Sequence, residues 1–189
     1  MRRCGCERIP HFHLSTFPHL PMRIFLIGFM GSGKTYWGRQ LGQKLGIPFF
    51  DLDEQVVNHA GKSIPDIFQQ EGEEHFRLLE KEVMYMITES HESFVMSCGG
   101  GTPCFFNNIE YMNNAGTTVW INTPASVLFD RLIRERPGRP LIKDLSNDQL
   151  RAFISRKFAD RKLYYEQANV VIDDESPQLD QLVEKIFHA

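Results

Sequence analysis

Residues 28–35 read GFMGSGKT and follow directly on the apolar run RIFLI at 23–27. The stretch matches G-x-x-x-x-G-K-[ST] at Gly28, Gly33, Lys34 and Thr35. A loop that wraps phosphate must bring several backbone N–H groups close to the anion, and side chains there would block the approach. The helix predicted after the loop adds unpaired N–H groups and the positive end of its dipole. Lys34 carries a full positive charge toward the β- and γ-phosphates, and the Thr35 hydroxyl is a hard oxygen suited to Mg²⁺. A strand before, a helix after and a complete motif point to a nucleoside triphosphate. They leave the phosphate acceptor open.

The 189 residues suffice for one domain with a hydrophobic core. Hydrophobic residues at 42% and charged residues at 24% are ordinary globular values. No apolar stretch approaches the ~20 residues that span a bilayer, so a soluble protein is expected, with no membrane partner. The net charge of −3 argues against nucleic acid as a partner. The four cysteines, Cys4, Cys6, Cys98 and Cys104, are too few and too unevenly placed for a disulfide framework. Reduced thiols and a cytoplasmic monomer are the expectation.

Residues 1–21 differ from the rest, with three prolines, three histidines, three arginines against one glutamate, and no period. They read as a disordered extension. A targeting peptide and a zinc site built from the C-x-C and H-x-H pairs are the alternatives. Residues 22–189 read as one domain.

In that domain five β-like runs appear, at 23–29, 47–53, 93–98, 117–123 and 169–173. They are mostly continuous apolar runs, which suits strands buried on both faces of a parallel sheet. Helical patterns lie between them: 34–46 ending at Gly46, 63–72 opening on Ser63 with Asp66 three residues on, 73–90, 124–136, 147–168 and 176–187. Alternation of the two kinds predicts a three-layer α/β/α fold with a five-stranded parallel sheet. RERPGRPLIKD (134–144) breaks the pattern and reads either as a solvated loop or as a charged lid.

Acceptor residues are sought beyond the carboxyl ends of the strands. DLD closes the second run, and on an extended chain Asp51 and Asp53 would share a face. One could order a Mg²⁺ shell while the other takes a hydroxyl proton; strand-end acids in solvent are the plainer reading. The third run ends in SCGGG (97–101), where either a ligand or a crossing chain must approach the backbone closely. Ser97 there could bond a magnesium-bound water. Arg77 and Glu80 share a helix face, either as a surface ion pair or as a guanidinium held toward a substrate carboxylate. Arg161 and Tyr165, taken alone, read as an exposed arginine and a partly buried tyrosine.

The ordered series GSGKT (31–35), DLD (51–53), FRLLE (76–80), SCGGG (97–101), GRPL (138–141) and RKLYY (161–165) resembles shikimate kinase over about residues 22–188. The resemblance implies the P-loop kinase fold and transfer of the γ-phosphate of ATP to the 3-hydroxyl of shikimate, with Mg²⁺, in the route to chorismate and aromatic amino acids. It implies nucleotide contacts from Gly31, Ser32, Gly33, Lys34, Thr35 and Tyr36, and metal contacts from Thr35 and Asp51. It implies that Asp53 acts as, or orients, the base. Shikimate would be held by Asp53, Arg77, Arg161 and the triplet Gly99, Gly100 and Gly101. Arg139, in a lid at about 134–146, would swing onto the phosphates as a catalytic arginine beside Lys34 and Asp53. Arg134 or Arg136 would lie against adenine, with VIDDESP (171–177) closing over the base. Cys98 stands where the family often has threonine or leucine, and its thiol is expected to be buried and inert. A kinase of another hydroxy acid such as gluconate, and a non-catalytic relative, are the competing readings.

Overall fold

The computed structural model describes residues 21–136, 139, 141–174 and 178–188. The expected N-terminal extension, apart from Pro21, lies outside the described residues. So do Pro137, Gly138 and Pro140 of the expected lid and 175–177 of the expected base-covering loop.

All five predicted runs form strands, trimmed at their ends: β1 (Arg23–Ile27), β2 (Phe49–Asp51), β3 (Phe94–Ser97), β4 (Thr117–Ile121) and β5 (Val170–Ile172). They pair in parallel in the order β2-β3-β1-β4-β5. Helices cover both faces, which is why the strands carry continuous apolar runs. Alternation along β1 sends Phe25 and Ile27 into one core, with Phe94 and Met96 of β3. Ile24 and Leu26 enter the other, with Val95, Val119 and Ile172.

The first core is closed by α2 (Leu52–Ala60), α3 (Ile64–Gln70), α4 (Gly72–Ser90), α5 (Asn108–Ala115) and Tyr165 at the end of α7 (Asn147–Tyr165). The second is closed by α1 (Lys34–Leu45) through Leu41 and by α8 (Leu179–Phe187) through Leu182 and Ile186. A third cluster joins α6 (Ala125–Glu135) to α7 through Leu128, Leu132, Leu150 and Ile154, with Phe29 of the glycine loop. Phe25 and Phe94 are fully buried and meet edge to face at 5.4 Å. Each such side chain contributes about 1.5–3 kcal/mol of burial.

Local signals hold at several helix ends. Gly46 caps α1 in the left-handed region at φ 68. The Ser63 side chain accepts from the Asp66 backbone N–H at the start of α3. Ser146 and Gln149 form a full capping box on α7.

Three expectations need correction. The run 47–53 is not one strand: the chain turns into α2 at Leu52. Asp51 accepts the Asp53 backbone N–H as the N-cap of that helix, so Asp53 sits in its first turn rather than on an extended chain. Helix α5 and a 3-10 turn at Thr102–Cys104 were not expected. Helix α7 stops at Tyr165, short of residue 168.

The chain passes from β1 to one edge of the sheet and from β3 back across to β4. A crevice therefore opens beyond the carboxyl ends of β1 and β3, the position where open α/β sheets bind ligands.

Candidate active site

The glycine loop leaves β1 at Gly28, with positive φ at Gly28, Gly31 and Gly33. At Gly28 a Cβ would stand 2.7 Å from the Ile121 carbonyl oxygen, so only glycine lets the loop pass β4 so closely. The Lys34 ammonium is buried and donates to the carbonyls of Gly28 at 3.0 Å and Phe29 at 2.9 Å. Burial pulls its pKa down to about 8, against the opposing pull of Asp53. The loop thus holds its lysine folded back over a nest of backbone groups.

Three oxygens from three segments meet beside Lys34. The Thr35 hydroxyl donates to Asp51 Oδ2 at 2.7 Å and lies 3.3 Å from Ser97 Oγ. One carboxylate and two hydroxyls form a hard-oxygen group of the kind Mg²⁺ takes when phosphates and water complete its shell. Among the described residues no group of three or more His, Cys, Asp or Glu could hold a metal ion.

Asp53 joins the two halves of the crevice. Burial, with the charge of Asp51, holds its carboxyl above the usual carboxylate range, while Lys34, Arg77 and Arg139 pull the other way. These cations come from α1, α4 and the segment after α6, so one carboxylate feels three distant parts of the chain. A Cβ at Gly99 would lie 3.2 Å from Asp53 Oδ1.

The cavity has a volume of about 850 Å³, within the range of small-molecule sites. Gly31, Ser32, Gly33, Thr35 and Tyr36 line it, as do Asp51, Gly99, Gly100 and Arg139. Gly101 of the triplet is not on its wall, and neither are Arg77 and Arg161, which pack against the triplet. A Cβ at Gly101 would lie 2.9 Å from an Arg77 nitrogen, and one at Gly100 would lie 3.1 Å from an Arg161 nitrogen. The close approach at this triplet is made by the guanidinium groups of Arg77 and Arg161 and, at Gly99, by the Glu80 carboxylate. Arg161 also lies over the ring of Phe29 at 5.6 Å, tying the acceptor side to the glycine loop.

Arg77 is buried between charges. Burial works against its guanidinium, but Glu80 and Glu73 more than offset that and hold it firmly protonated. It pairs with Glu80 at i+3 and with Glu73 at 3.2 Å. The pair is thus interior, not a surface one. Tyr165 is fully buried rather than partly so, and its hydroxyl donates to the Gly100 carbonyl at 2.6 Å. Cys98 is buried with its thiol 3.8 Å from the Met112 sulfur, and burial pushes its pKa far up, as an inert thiol requires.

Arg136 donates to Asn147 Oδ1 at 2.7 Å, and neither it nor Arg134 lines the cavity. Arg131 does, donating to the Gly31 carbonyl at 3.0 Å. Its place on α6 turns it toward the loop. Trp37 and Gln40 of α1 and Asp174 after β5 complete that end. Arg139 Nε donates to Glu135 Oε2 at 2.9 Å, and both residues face the cavity.

The family model described as "Shikimate kinase" matches residues 30–189. A curated shikimate kinase from Azobacteroides pseudotrichonymphae is 43% identical over 165 residues, covering 87% of this chain and 97% of that relative. Among solved structures, shikimate kinase from Bacteroides thetaiotaomicron has a TM-score of 0.80 at 35% identity, covering 88% of this chain and 95% of that one. Shikimate kinase from Acinetobacter baumannii, solved in complex with shikimate, has a TM-score of 0.80 at 32% identity, with 93% and 96% covered. The glycine loop, the Asp53 carboxylate and the arginines behind the triplet thus sit in a chain that belongs to the shikimate kinase family.

Proposed function

We propose that this protein transfers the γ-phosphate of ATP to the 3-hydroxyl of shikimate, giving shikimate 3-phosphate and ADP. The observation that carries this reading is the electrostatic setting of Asp53, one carboxylate on the cavity wall that the charges of Lys34, Arg77 and Arg139 all reach. The acceptor implied is a small polyhydroxylated carboxylate: Arg77 and Arg161 suit its carboxylate and Asp53 its hydroxyls. A cytoplasmic monomer acting on this small molecule is the setting the reading implies.

The glycine loop, with Gly31, Ser32, Gly33 and Tyr36, cradles the triphosphate through backbone N–H groups and the start of α1. Lys34 leaves the Gly28 and Phe29 carbonyls for the phosphate oxygens. Thr35 and Asp51, with Ser97 beside them, would hold Mg²⁺, which when bound neutralises triphosphate charge. Arg77 and Arg161 take the shikimate carboxylate across the backbone of Gly99, Gly100 and Gly101. Asp53 accepts the proton of the 3-hydroxyl; a carboxyl held above its usual range is the better acceptor. The hydroxyl oxygen then bonds to the γ-phosphorus as the bond from that phosphorus to the β–γ bridging oxygen breaks. Arg139 leaves Glu135 for the transferring phosphoryl group, where its charge stabilises the transition state.

The test is ADP release with ATP and Mg²⁺ across a panel of hydroxy acids. Turnover with shikimate and none with gluconate is expected; turnover with gluconate but not shikimate would refute the assignment.

Lys34 gives a pH prediction. Its charged form binds phosphate, and burial sets its pKa in the free protein at about 8. Protonation is therefore nearly complete at neutral pH and is lost as pH rises through that value. The affinity for ATP should hold near pH 7 and weaken above pH 8 by up to about tenfold per unit, with proton uptake on binding. Calorimetry in buffers of different ionisation enthalpy measures both, and a flat affinity with no proton uptake up to about pH 9.5 would contradict the assignment.

A further inference from the structure

Residues 102–108 wrap behind the acceptor half of the crevice. After the turn Thr102–Cys104, Phe106 and Asn107 take left-handed backbone, φ 50 and 57, where non-glycine residues are uncommon. This bend follows Phe105, whose ring lies 4.7 Å from the Arg77 guanidinium carbon; the Phe76 ring lies 5.0 Å from the same carbon. Asn108 is buried beneath the turn, and its side-chain nitrogen donates to the Thr102 carbonyl at 3.0 Å. Thr102 is thereby fixed, and it is fully buried.

The Thr102 hydroxyl donates to Glu80 Oε1 at 2.6 Å, and Glu80 Oε2 pairs with Arg77. This bond lies against Gly99. A Cβ built there would stand 2.5 Å from Glu80 Oε1, 3.0 Å from Thr102 Oγ1 and 3.2 Å from Asp53 Oδ1. The Glu80 oxygen that Thr102 holds is therefore on the Asp53 side. A buried carboxylate, Glu80, and a second one so close to it disfavour joint ionisation, and each would otherwise compete for the same cation. A single donated hydrogen stabilises the charged form of Glu80 and fixes which oxygen is left for Arg77. Asp53 remains free for the acceptor.

We propose that Thr102 is a positioning residue for acceptor binding: through Glu80 it fixes the orientation of Arg77 beneath the glycine triplet. The proposal rests on the reading that Arg77 holds the shikimate carboxylate. Thr102→Val keeps the shape and removes the hydroxyl. It should raise the KM for shikimate about tenfold, the scale of one lost hydrogen bond to a charged group, with kcat and the KM for ATP nearly unchanged. Thr102→Ser should restore the KM. Arg77→Lys should raise the same KM at least as far, and adding Thr102→Val to it should cost little more, because the two act in series.

An unchanged shikimate KM in Thr102→Val, no recovery in Thr102→Ser, or an equal rise in the KM for ATP would overturn the proposal. If Arg77→Lys raises the KM and Thr102→Val does not, only the positioning role fails. If Arg77→Lys leaves the KM unchanged, the carboxylate reading fails and the proposal with it. Should Thr102→Val not fold, Thr102→Ala is judged by the same criteria.

Discussion

Asp53→Asn is expected to lower kcat by about 10²–10⁴-fold, the usual contribution of a positioned general base, while leaving ATP affinity near neutral pH little changed. The substitution is nearly isosteric. The Asp53 backbone N–H still donates to Asp51, so the start of α2 and the Thr35–Asp51 contact survive. What disappears is the proton acceptor, whose carboxyl burial and Asp51 together hold above its usual range. Single-turnover kinetics at saturating shikimate separate this loss from weaker binding. An unchanged kcat would remove Asp53 from the chemistry.

Arg139→Ala should lower kcat by about 10³-fold, the lower range for an arginine that stabilises a transferring phosphoryl group, with modest changes in either KM. The resting partner of Arg139 is Glu135, and both side chains are partly exposed. Such an ion pair is worth under about 1 kcal/mol, so little opposes release of Arg139 toward the phosphates. Its charge already acts on both Lys34 and Asp53, which places it within reach of the reacting groups. Arg139→Lys keeps a charge but loses the planar fork and should fall between. Normal turnover in Arg139→Ala would mean that closure of this segment brings no catalytic group.

The sheet was legible because its signal is local. Five buried parallel strands leave five apolar runs, and a phosphate-binding loop needs its glycines and lysine at fixed spacing. Helix α2 was missed because the apolar start of Leu52 and Val56 directly continues a strand-like run, with no proline or glycine marking the change. The cap that starts it, Asp51 accepting from Asp53, is made by the residues that also read as a catalytic pair. Helix α5 contributes Ile109 and Met112 to the core, too short an apolar stripe to stand out.

The acceptor side was legible as a set of residues but not as a geometry. The spacing of Arg77 and Glu80 marks a shared helix face, yet only the fold makes that face an interior wall, because the glycine triplet packs against it. Arg131 and Thr102 had no sequence signal at all. Each acts through one contact to a residue distant in the chain, the Gly31 carbonyl for the one and Glu80 for the other.

A crystal structure of the protein with ADP and shikimate would decide whether the two halves of the crevice form one catalytic centre. The shikimate carboxylate should lie against Arg77 and Arg161, with its 3-hydroxyl on Asp53 and facing the phosphate nest at Lys34. Shikimate bound elsewhere, away from both arginines and with its 3-hydroxyl out of reach of Asp53, would contradict that arrangement.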